Sequence, residues 1–253
     1  MNAETVEALR TINNDFYQNQ CDSFSETRKA PWAGWEKCLA AVTANNPAAW
    51  QDFSVLDVAC GNLRFEDFLT SACEGATITF YAVDNCNGLV PPTPSVDYQN
   101  FDVMAAACRG ESITDQLSAP VCDLCVSFGF FHHVPTAAYR EKILASLIKQ
   151  TRPGGYVAVS LWQFLNSAEM AEKARITDEC ARKELGLPAL DANDYLLGWK
   201  NLPGQYRYCH SFSETEIDRL IAAVTNHATL VSRFSADGRT GNLNTYVVLR
   251  ANF

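Results

Sequence analysis

Three aspartates, each placed in or at the end of a strand-like run, are the residues of this chain best placed for chemistry. Asp57 lies in the apolar run 54–59 and is followed by the small residues 59–61. Asp84 ends the next run, 27 residues after Asp57 (84 − 57), and Asp102 follows the third. Small residues let a ligand approach the backbone, and strand-end carboxylates accept hydrogen bonds from hydroxyl and amino groups. A helical pattern follows, whose N-terminus favours negative charge. Together they predict a pocket for a small nucleoside ligand.

Alternating strand-like and helical patterns must position these aspartates. The strand-like runs are 54–59, 78–83, 97–101, 124–128 and 156–161. Helical patterns fall between them, notably at 136–150. This alternation predicts a parallel sheet with helices on both faces, and such sheets bind ligands at the carboxyl ends of their strands.

The rest of the chain is expected to complete a single domain. The expected segments are an N-terminal helical cap at 1–50, a cofactor-binding core at 54–161, an insertion or lid at 166–204, and a C-terminal helix and hairpin at 205–253. Within the insertion, a helix at 168–185 is followed by a turn-rich stretch. Ser213 and Glu216 form a capping-box pattern ahead of the last helix. Two β-branched runs, 229–234 and 245–249, predict an antiparallel hairpin that closes the sheet.

The composition indicates a folded protein of the cytoplasm. The chain has 253 residues, 47% of them hydrophobic, without an apolar run long enough for a membrane span or a signal-like N-terminus. The formal net charge of −9 argues against binding nucleic acid through an overall positive field. Ten cysteines are scattered, and the pair Cys122 and Cys125 lies in an apolar run. We interpret this pair as buried core, and no metal site is expected.

The loop after Asp57 distinguishes two kinds of nucleoside pocket. A dinucleotide site requires G-x-G-x-x-G after the first strand, which the chain lacks. Its sequence Asp57-Val-Ala-Cys-Gly61-Asn-Leu63 resembles instead D-x-G-x-G-x-G, the first motif of the class I S-adenosylmethionine-dependent methyltransferases. Two of the three glycines are replaced, by Ala59 and Leu63.

The later signatures of that family follow in order. They are Asp84, Asp102, the run 122–135 with its His132-His133 pair, and a Pro-Gly-Gly turn at 153–155. The resemblance implies a Rossmann-like α/β fold with a seven-stranded, mostly parallel sheet, and S-adenosyl-L-methionine as cofactor. The implied cofactor-binding residues are Asp57, Ala59, Cys60, Gly61, Asn62, Arg64, Asp84, Asn85, Asp102, Val103, Phe128 and His133.

Motifs outside the core resemble a narrower group, the tRNA wobble-uridine carboxymethyl methyltransferases. They are the stretches 16–32, 194–199 and 207–212, together with the histidine pair. The family's Val-Pro-Trp is Leu-Gly-Trp199 here, and its second tyrosine before the histidine is Cys209. The resemblance implies tRNA as acceptor and a small activating protein as a possible partner.

Cationic and aromatic residues in these motifs suit a carboxylate acceptor. Because a carboxylate is ionised at neutral pH, it needs a cationic clamp more than a base, and Arg28 can supply a bidentate one. His133 and His210 can orient an oxygen, or act as a base if the acceptor is a hydroxyl. The candidate catalytic residues are therefore Arg28, His133 and His210. The candidate substrate-binding residues are Tyr17, Arg28, Trp32, Trp199 and Tyr208.

Two other functions remain open from the sequence. A methyltransferase for a small-molecule carboxylate or hydroxyl would use the same pocket, and the charge of −9 favours it. A non-catalytic module with this fold is the second alternative, because Ala59 and Leu63 replace motif glycines.

Overall fold

The computed structural model describes residues 1–44, 50–200 and 202–252. Its helices are α1 Ala3–Glu26, α2 Ala33–Thr43, α3 Arg64–Ala72, α4 Val103–Cys108, α5 Ala137–Lys149, α6 Ala168–Leu185 and α7 Glu214–Ala222. Its strands are β1 Asp52–Val58, β2 Thr77–Asp84, β3 Val96–Asn100, β4 Cys122–Ser127, β5 Thr151–Trp162, β6 Asp194–Gly198, β7 Tyr206–His210, β8 Ala228–Ala236 and β9 Asn244–Ala251. The part of the expected N-terminal cap at 45–49 lies outside the described residues.

Seven strands form the main sheet in the order β3-β2-β1-β4-β5-β9-β8. The first five are parallel, whereas β9 runs antiparallel to both β5 and β8. The order reverses between β1 and β4, and at such a switch point a crevice opens at the carboxyl ends of the strands. The predicted Rossmann-like, mostly parallel sheet with a C-terminal antiparallel hairpin is confirmed.

Helices cover both faces because the central strands are apolar on both sides. On one face, Leu56, Cys125 and Val157 pack against residues of α4, α5 and α7. On the other, Val55 and Val126 pack with aromatic residues of α2 and α3. Continuous burial along β4 fits a strand covered on both faces. The predicted capping box at Ser213 and Glu216 is present and begins α7.

A second, two-stranded sheet lies in a region where the sequence predicts a turn-rich stretch. Strands β6 and β7 pair antiparallel, with Leu196 opposite Tyr208. Both side chains are fully buried in a small core with Leu9 of α1 and Ala181 of α6. Helix α6 has the predicted bounds. The prediction of turns up to Trp199 is wrong, because the contacts of Leu196 and Tyr208 with α1 and α6 stabilise a hairpin. No helix among the described residues is long and apolar enough to cross a membrane.

Candidate active site

The loop at the carboxyl end of β1 has an unusual backbone. Ala59, Gly61 and Leu63 all have positive φ, at 65°, 58° and 58°. The amides of Ala59 and Cys60 donate to the carbonyl of Val83 on β2, at 2.7 and 3.1 Å. A left-handed conformation costs a non-glycine residue about 1–2 kcal/mol, so the surrounding sheet must enforce it. The chain therefore keeps the turn of the glycine motif although two glycines are replaced.

Two strand-end carboxylates face the cleft beside this loop. Asp84 accepts from the amides of Gly61 at 2.9 Å and Cys86 at 2.8 Å. These bonds fix its carboxylate, whose remaining lone pairs can accept from the hydroxyls of a ribose. Asp102 caps α4 by accepting from the Ala105 amide at 2.8 Å through Oδ1. That oxygen also keeps a free accepting position, which suits an adenine amino group.

The first aspartate of the motif is placed differently from the other two. Asp57 is buried beneath the loop and does not line the cleft, so its direct contact with the cofactor is not supported. Glu66 of α3 is also buried, and both of its carboxylate oxygens lack a hydrogen-bond partner among the described residues. Burial raises the pKa of Glu66 to about 8. Burial, and next the charges of Glu66 and Asp84, raises the pKa of Asp57 well above its usual value.

A cavity of about 300 Å³ runs from the Asp102 end to the segment before α2. Among the predicted residues, those that line it are Tyr17, Arg28, Trp32, Ala59, Cys60, Gly61, Asn62, Arg64, Asp84, Asn85, Asp102, Val103, Phe128 and His133. One end holds the two strand-end carboxylates. The other is formed by Arg28, Trp32 and the histidine pair. We call them the nucleoside end and the acceptor end, after the roles predicted for their residues.

Two guanidinium groups meet at the acceptor end. Arg28 lies over the ring of Phe24, 3.5 Å from its centroid. Arg207 is 8% exposed, lines the cavity, and lies 5.4 Å from the ring centroid of Trp199. Its Nε lacks a hydrogen-bond partner among the described residues. Burial, and next the charge of Arg207, lowers the pKa of Arg28 to about 10.

Neither arginine forms an ion pair with a carboxylate in the described parts of the chain. An unpaired buried cation is costly, and an anion supplied by a ligand would remove that cost. The acceptor end is therefore suited to an anionic group.

His133 is held in one tautomer between a carbonyl and a phenol. Its Nδ1 lies 2.8 Å from the carbonyl oxygen of Tyr208, which can only accept. Nδ1 therefore carries the hydrogen, and Nε2 accepts from the Tyr17 hydroxyl at 2.7 Å. Burial, and next the charge of Arg207, lowers the pKa of His133 to about 3. The imidazole is thus neutral and already engaged on both nitrogens.

The histidine pair also lies near a thiol. Donor atoms of His132, His133 and Cys209 come within 4.8 Å of one another, a spacing a metal ion can bridge. However, Nδ1 of His133 is bound to a carbonyl, and burial raises the pKa of Cys209 to about 12, so its sulfur is a thiol. Burial, and next the neighbouring His133 and Arg207, lowers the pKa of His132 well below its usual value. This environment disfavours a cation.

Three predicted acceptor-side residues lie outside the cavity lining. His210 is 2% exposed, with Nδ1 2.7 Å from Asp194 and Nε2 3.1 Å from Glu216. Tyr208 is fully buried, and its hydroxyl donates to Asp194 at 2.7 Å. Trp199 packs behind the site against aromatic rings of α1. The assignments of His210 and Tyr208 to the site are corrected. Both belong to a buried polar cluster with Asp194 and Glu216 that connects β7 to β6 and α7.

Among the lining residues that sequence reasoning missed, three are charged or polar side chains on which the site's chemistry depends. Arg207 lies in the run 207–212 that carried the resemblance, but its lack of a carboxylate partner is visible only in three dimensions. Arg10 and Asn14 of α1 also line the cleft, at the nucleoside end. Their spacing of four residues, continued by Tyr17, was the available signal.

The chain is similar in sequence to proteins that are named as methyltransferases. No protein-family model matches it. It is 27% identical over 152 residues, 58% of its length, to the tRNA (carboxymethyluridine(34)-5-O)-methyltransferase ALKBH8 of Macaca fascicularis, of which the match covers 19%. It is 24% identical over 201 residues to a putative methyltransferase of Encephalitozoon cuniculi (strain GB-M1), covering 78% of each chain. The chain thus spans about a fifth of the length of the first relative.

Solved structures are also similar to this fold. One is the Burkholderia thailandensis 1,6-didemethyltoxoflavin-N1-methyltransferase with bound 1,6-didemethyltoxoflavin and S-adenosylhomocysteine. Its TM-score is 0.58 at 18% identity, and the match covers 98% of this chain and 90% of that one. By sequence the chain is therefore similar to methyltransferases, and its fold is similar to that of a solved methyltransferase structure with bound S-adenosylhomocysteine.

Proposed function

We propose that the chain transfers a methyl group to a carboxylate oxygen, and that this carboxylate belongs to a carboxymethyl-modified wobble uridine of tRNA. The observation that carries the first part is the pair Arg28 and Arg207, two cavity-lining guanidinium groups without a carboxylate partner among the described residues. Their planar forks match the two oxygens of a carboxylate. A carboxylate between them would accept hydrogen bonds from both and reduce their combined charge from +2 to +1.

The nucleoside end has the residues that the cofactor needs. Asp84 is fixed by backbone amides and presents oxygens to ribose hydroxyls, and Asp102 keeps an accepting position for the adenine amino group. The turn at 59–63 lets a ligand approach the backbone closely. When bound, the cofactor supplies a methyl group activated by its sulfonium centre.

The chain's own part in the reaction is positioning rather than proton transfer. Arg28 and Arg207 would hold an acceptor that is already ionised, and each carboxylate oxygen keeps a lone pair for attack. The Tyr17 hydroxyl donates its hydrogen to His133, so the two guanidinium groups are the donors left to hold the carboxylate oxygens. Such alignment converts a bimolecular displacement into one between held groups, which contributes several kcal/mol to catalysis.

The same pocket gives little support to a hydroxyl acceptor. A hydroxyl must lose its proton, and His133 has both nitrogens engaged and a pKa lowered to about 3. Burial raises the pKa of Tyr17, so the phenol is also a poor base at neutral pH. An acceptor that is ionised before it binds is therefore favoured.

The tRNA part of the proposal is supported by the likeness to ALKBH8 and by aromatic rings at the acceptor end. Trp32 lines the cavity beside Arg64, whose guanidinium lies 5.3 Å from its ring centroid. The partly exposed Trp32 ring can stack on a base. The net charge of −9 favours the second candidate, a small carboxylate that needs no extended basic surface.

A labelling experiment separates these functions. The chain is incubated with methyl-labelled cofactor and either tRNA that carries unesterified carboxymethyluridine, free 5-carboxymethyluridine, or an extract of small metabolites. We expect label in the tRNA that mild alkali releases as methanol, because an ester is hydrolysed. Alkali-stable label contradicts a carboxylate acceptor, and label confined to small molecules contradicts the tRNA proposal. Absence of S-adenosylhomocysteine binding would instead favour a non-catalytic module.

A further inference from the structure

One face of α1 lines the cleft from end to end. Arg10, Asn14, Tyr17 and Phe24 all line the cavity, at relative positions 0, 4, 7 and 14. In an α-helix these positions follow a single face. A single rigid element therefore contacts both the nucleoside end and the acceptor end.

At the nucleoside end, Asn14 connects the two strand-end sites. Its Nδ2 donates to Oδ2 of Asp102 at 3.2 Å, and its Oδ1 accepts from Nδ2 of Asn85 at 2.8 Å. Arg10 binds the same Asp102 oxygen at 2.7 Å. Oδ2 of Asp102 is thus fully used by α1, which leaves Oδ1 for a ligand.

At the acceptor end, the next turn of α1 carries Tyr17. Its hydroxyl donates to His133, and its ring packs edge-on against Phe24, which lies under Arg28. Asn14 and Tyr17 are three residues apart, about 4.5 Å along the axis. A shift of the helix at Asn14 therefore moves the phenol as well.

We propose that Asn14 is a positioning residue that couples nucleoside binding to the arrangement of the acceptor end. This proposal depends on the proposed function in one respect, which is that the nucleoside end is the cofactor site. A bound nucleoside fixes Asn85 and Asp102, these hold Asn14, and α1 then fixes Tyr17 against His133. Because coupling is reciprocal, an occupied acceptor end stabilises the nucleoside complex by the same factor.

Amide hydrogen exchange of the full chain, with and without saturating S-adenosylhomocysteine, tests this coupling. In the unmodified chain we expect the ligand to slow exchange about tenfold in residues 15–26 as well as at 101–104. In Asn14→Ala, protection at 101–104 remains and protection at 15–26 is lost. Asn19→Ala is the matched control, since Asn19 is exposed on the same helix, and it should behave like the unmodified chain.

The outcomes distinguish this proposal from the function itself. Absence of S-adenosylhomocysteine binding overturns both. Binding that protects 101–104 without protecting 15–26 in the unmodified chain overturns only the coupling. Equal protection of 15–26 in Asn14→Ala and Asn19→Ala also overturns only the coupling. Asn85→Ala removes the hydrogen bond between Asn85 and Asn14. Under saturating ligand this variant should therefore lose protection at 15–26, as Asn14→Ala does.

Discussion

The hydroxyl of Tyr17 donates to Nε2 of His133 across 2.7 Å, while Nδ1 of the same ring faces the Tyr208 carbonyl at 2.8 Å. The ring is thus a fixed, neutral acceptor rather than a free base. This pair lies beside Arg28 and Arg207, so the protonation state of His133 affects the total charge of the acceptor end. A neutral histidine adds no third positive charge to the two guanidinium groups.

Arg207→Met should abolish most transfer without weakening the nucleoside end. A charge-assisted bidentate contact contributes about 3 kcal/mol, so we expect kcat/KM to fall about 100-fold while S-adenosylhomocysteine affinity stays within about twofold. Because the variant removes an unpaired buried charge, its Tm should be unchanged or higher. Arg250→Met, at an exposed arginine, is the control. Unchanged kcat/KM in Arg207→Met would contradict the clamp.

The pH dependence of kcat should be flat from about pH 6 to about pH 9. The acceptor carboxylate is ionised over that range, and the pKa of His133, lowered by burial to about 3, keeps the ring neutral. Single-turnover rates with saturating substrates measure this profile. A rise in rate governed by a pKa near 6.5 would show that an imidazole acts as base, and would favour a hydroxyl acceptor.

Ala59→Gly and Leu63→Gly should have opposite effects on stability. Both residues have positive φ, and glycine relieves about 1–2 kcal/mol of strain at the cost of about 0.5–1 kcal/mol of chain entropy. Ala59→Gly should therefore raise the free energy of unfolding by about 0.5–1 kcal/mol in urea denaturation. Leu63 is 2% exposed, so its replacement loses buried apolar contacts and should lower stability by roughly 2 kcal/mol. Destabilisation by Ala59→Gly would contradict the strain argument.

Glu66→Gln should stabilise the protein most at alkaline pH. Because burial raises the pKa of Glu66 to about 8 in the folded state, the folded chain keeps a proton that the unfolded chain releases near pH 4.5. The contribution of Glu66 to stability is thus greatest at low pH and is lost as pH rises from about 4.5 to about 8. Glu66→Gln does not lose stability in this way. The difference in unfolding free energy between the variant and the unmodified chain should therefore grow by roughly 2–4 kcal/mol between pH 5 and pH 8.

Glu36→Gln makes the same change at an exposed position and serves as control for Glu66→Gln. Its difference from the unmodified chain should not vary with pH. A difference for Glu66→Gln that is equally flat would show that the buried carboxyl titrates normally.

The main sheet was predictable because its strands carry local signals. The runs that became β1, β2, β4 and β5 are apolar and lie between helical patterns, and the small residues 59–61 marked the end of β1. Strands β6 and β7 were missed because their stability is not local. Asp194 is polar yet buried in β6, and its contacts with Tyr208 and His210, fourteen and sixteen residues on, make that position stable.

The acceptor end was only partly predictable for the same reason. Arg28 and His133 were found through motifs, and the structure brings both to the cavity. His210 was misassigned, since Asp194 and Glu216, which occupy its ring, come from other elements. Arg207 was missed because it is distinguished by having no partner carboxylate within residues 1–44, 50–200 and 202–252, which sequence spacing does not reveal.

The left-handed turn at residues 59–63 has a consequence for finding related chains. Its shape is maintained by the bonds of two amides to Val83 and by the apolar contacts of Leu63, so glycine is not required at either flanking position. A pattern that demands glycine there would overlook this chain and others built in the same way. The transferable signature is a buried strand that carries an aspartate, a turn with three residues of positive φ, and the start of a helix.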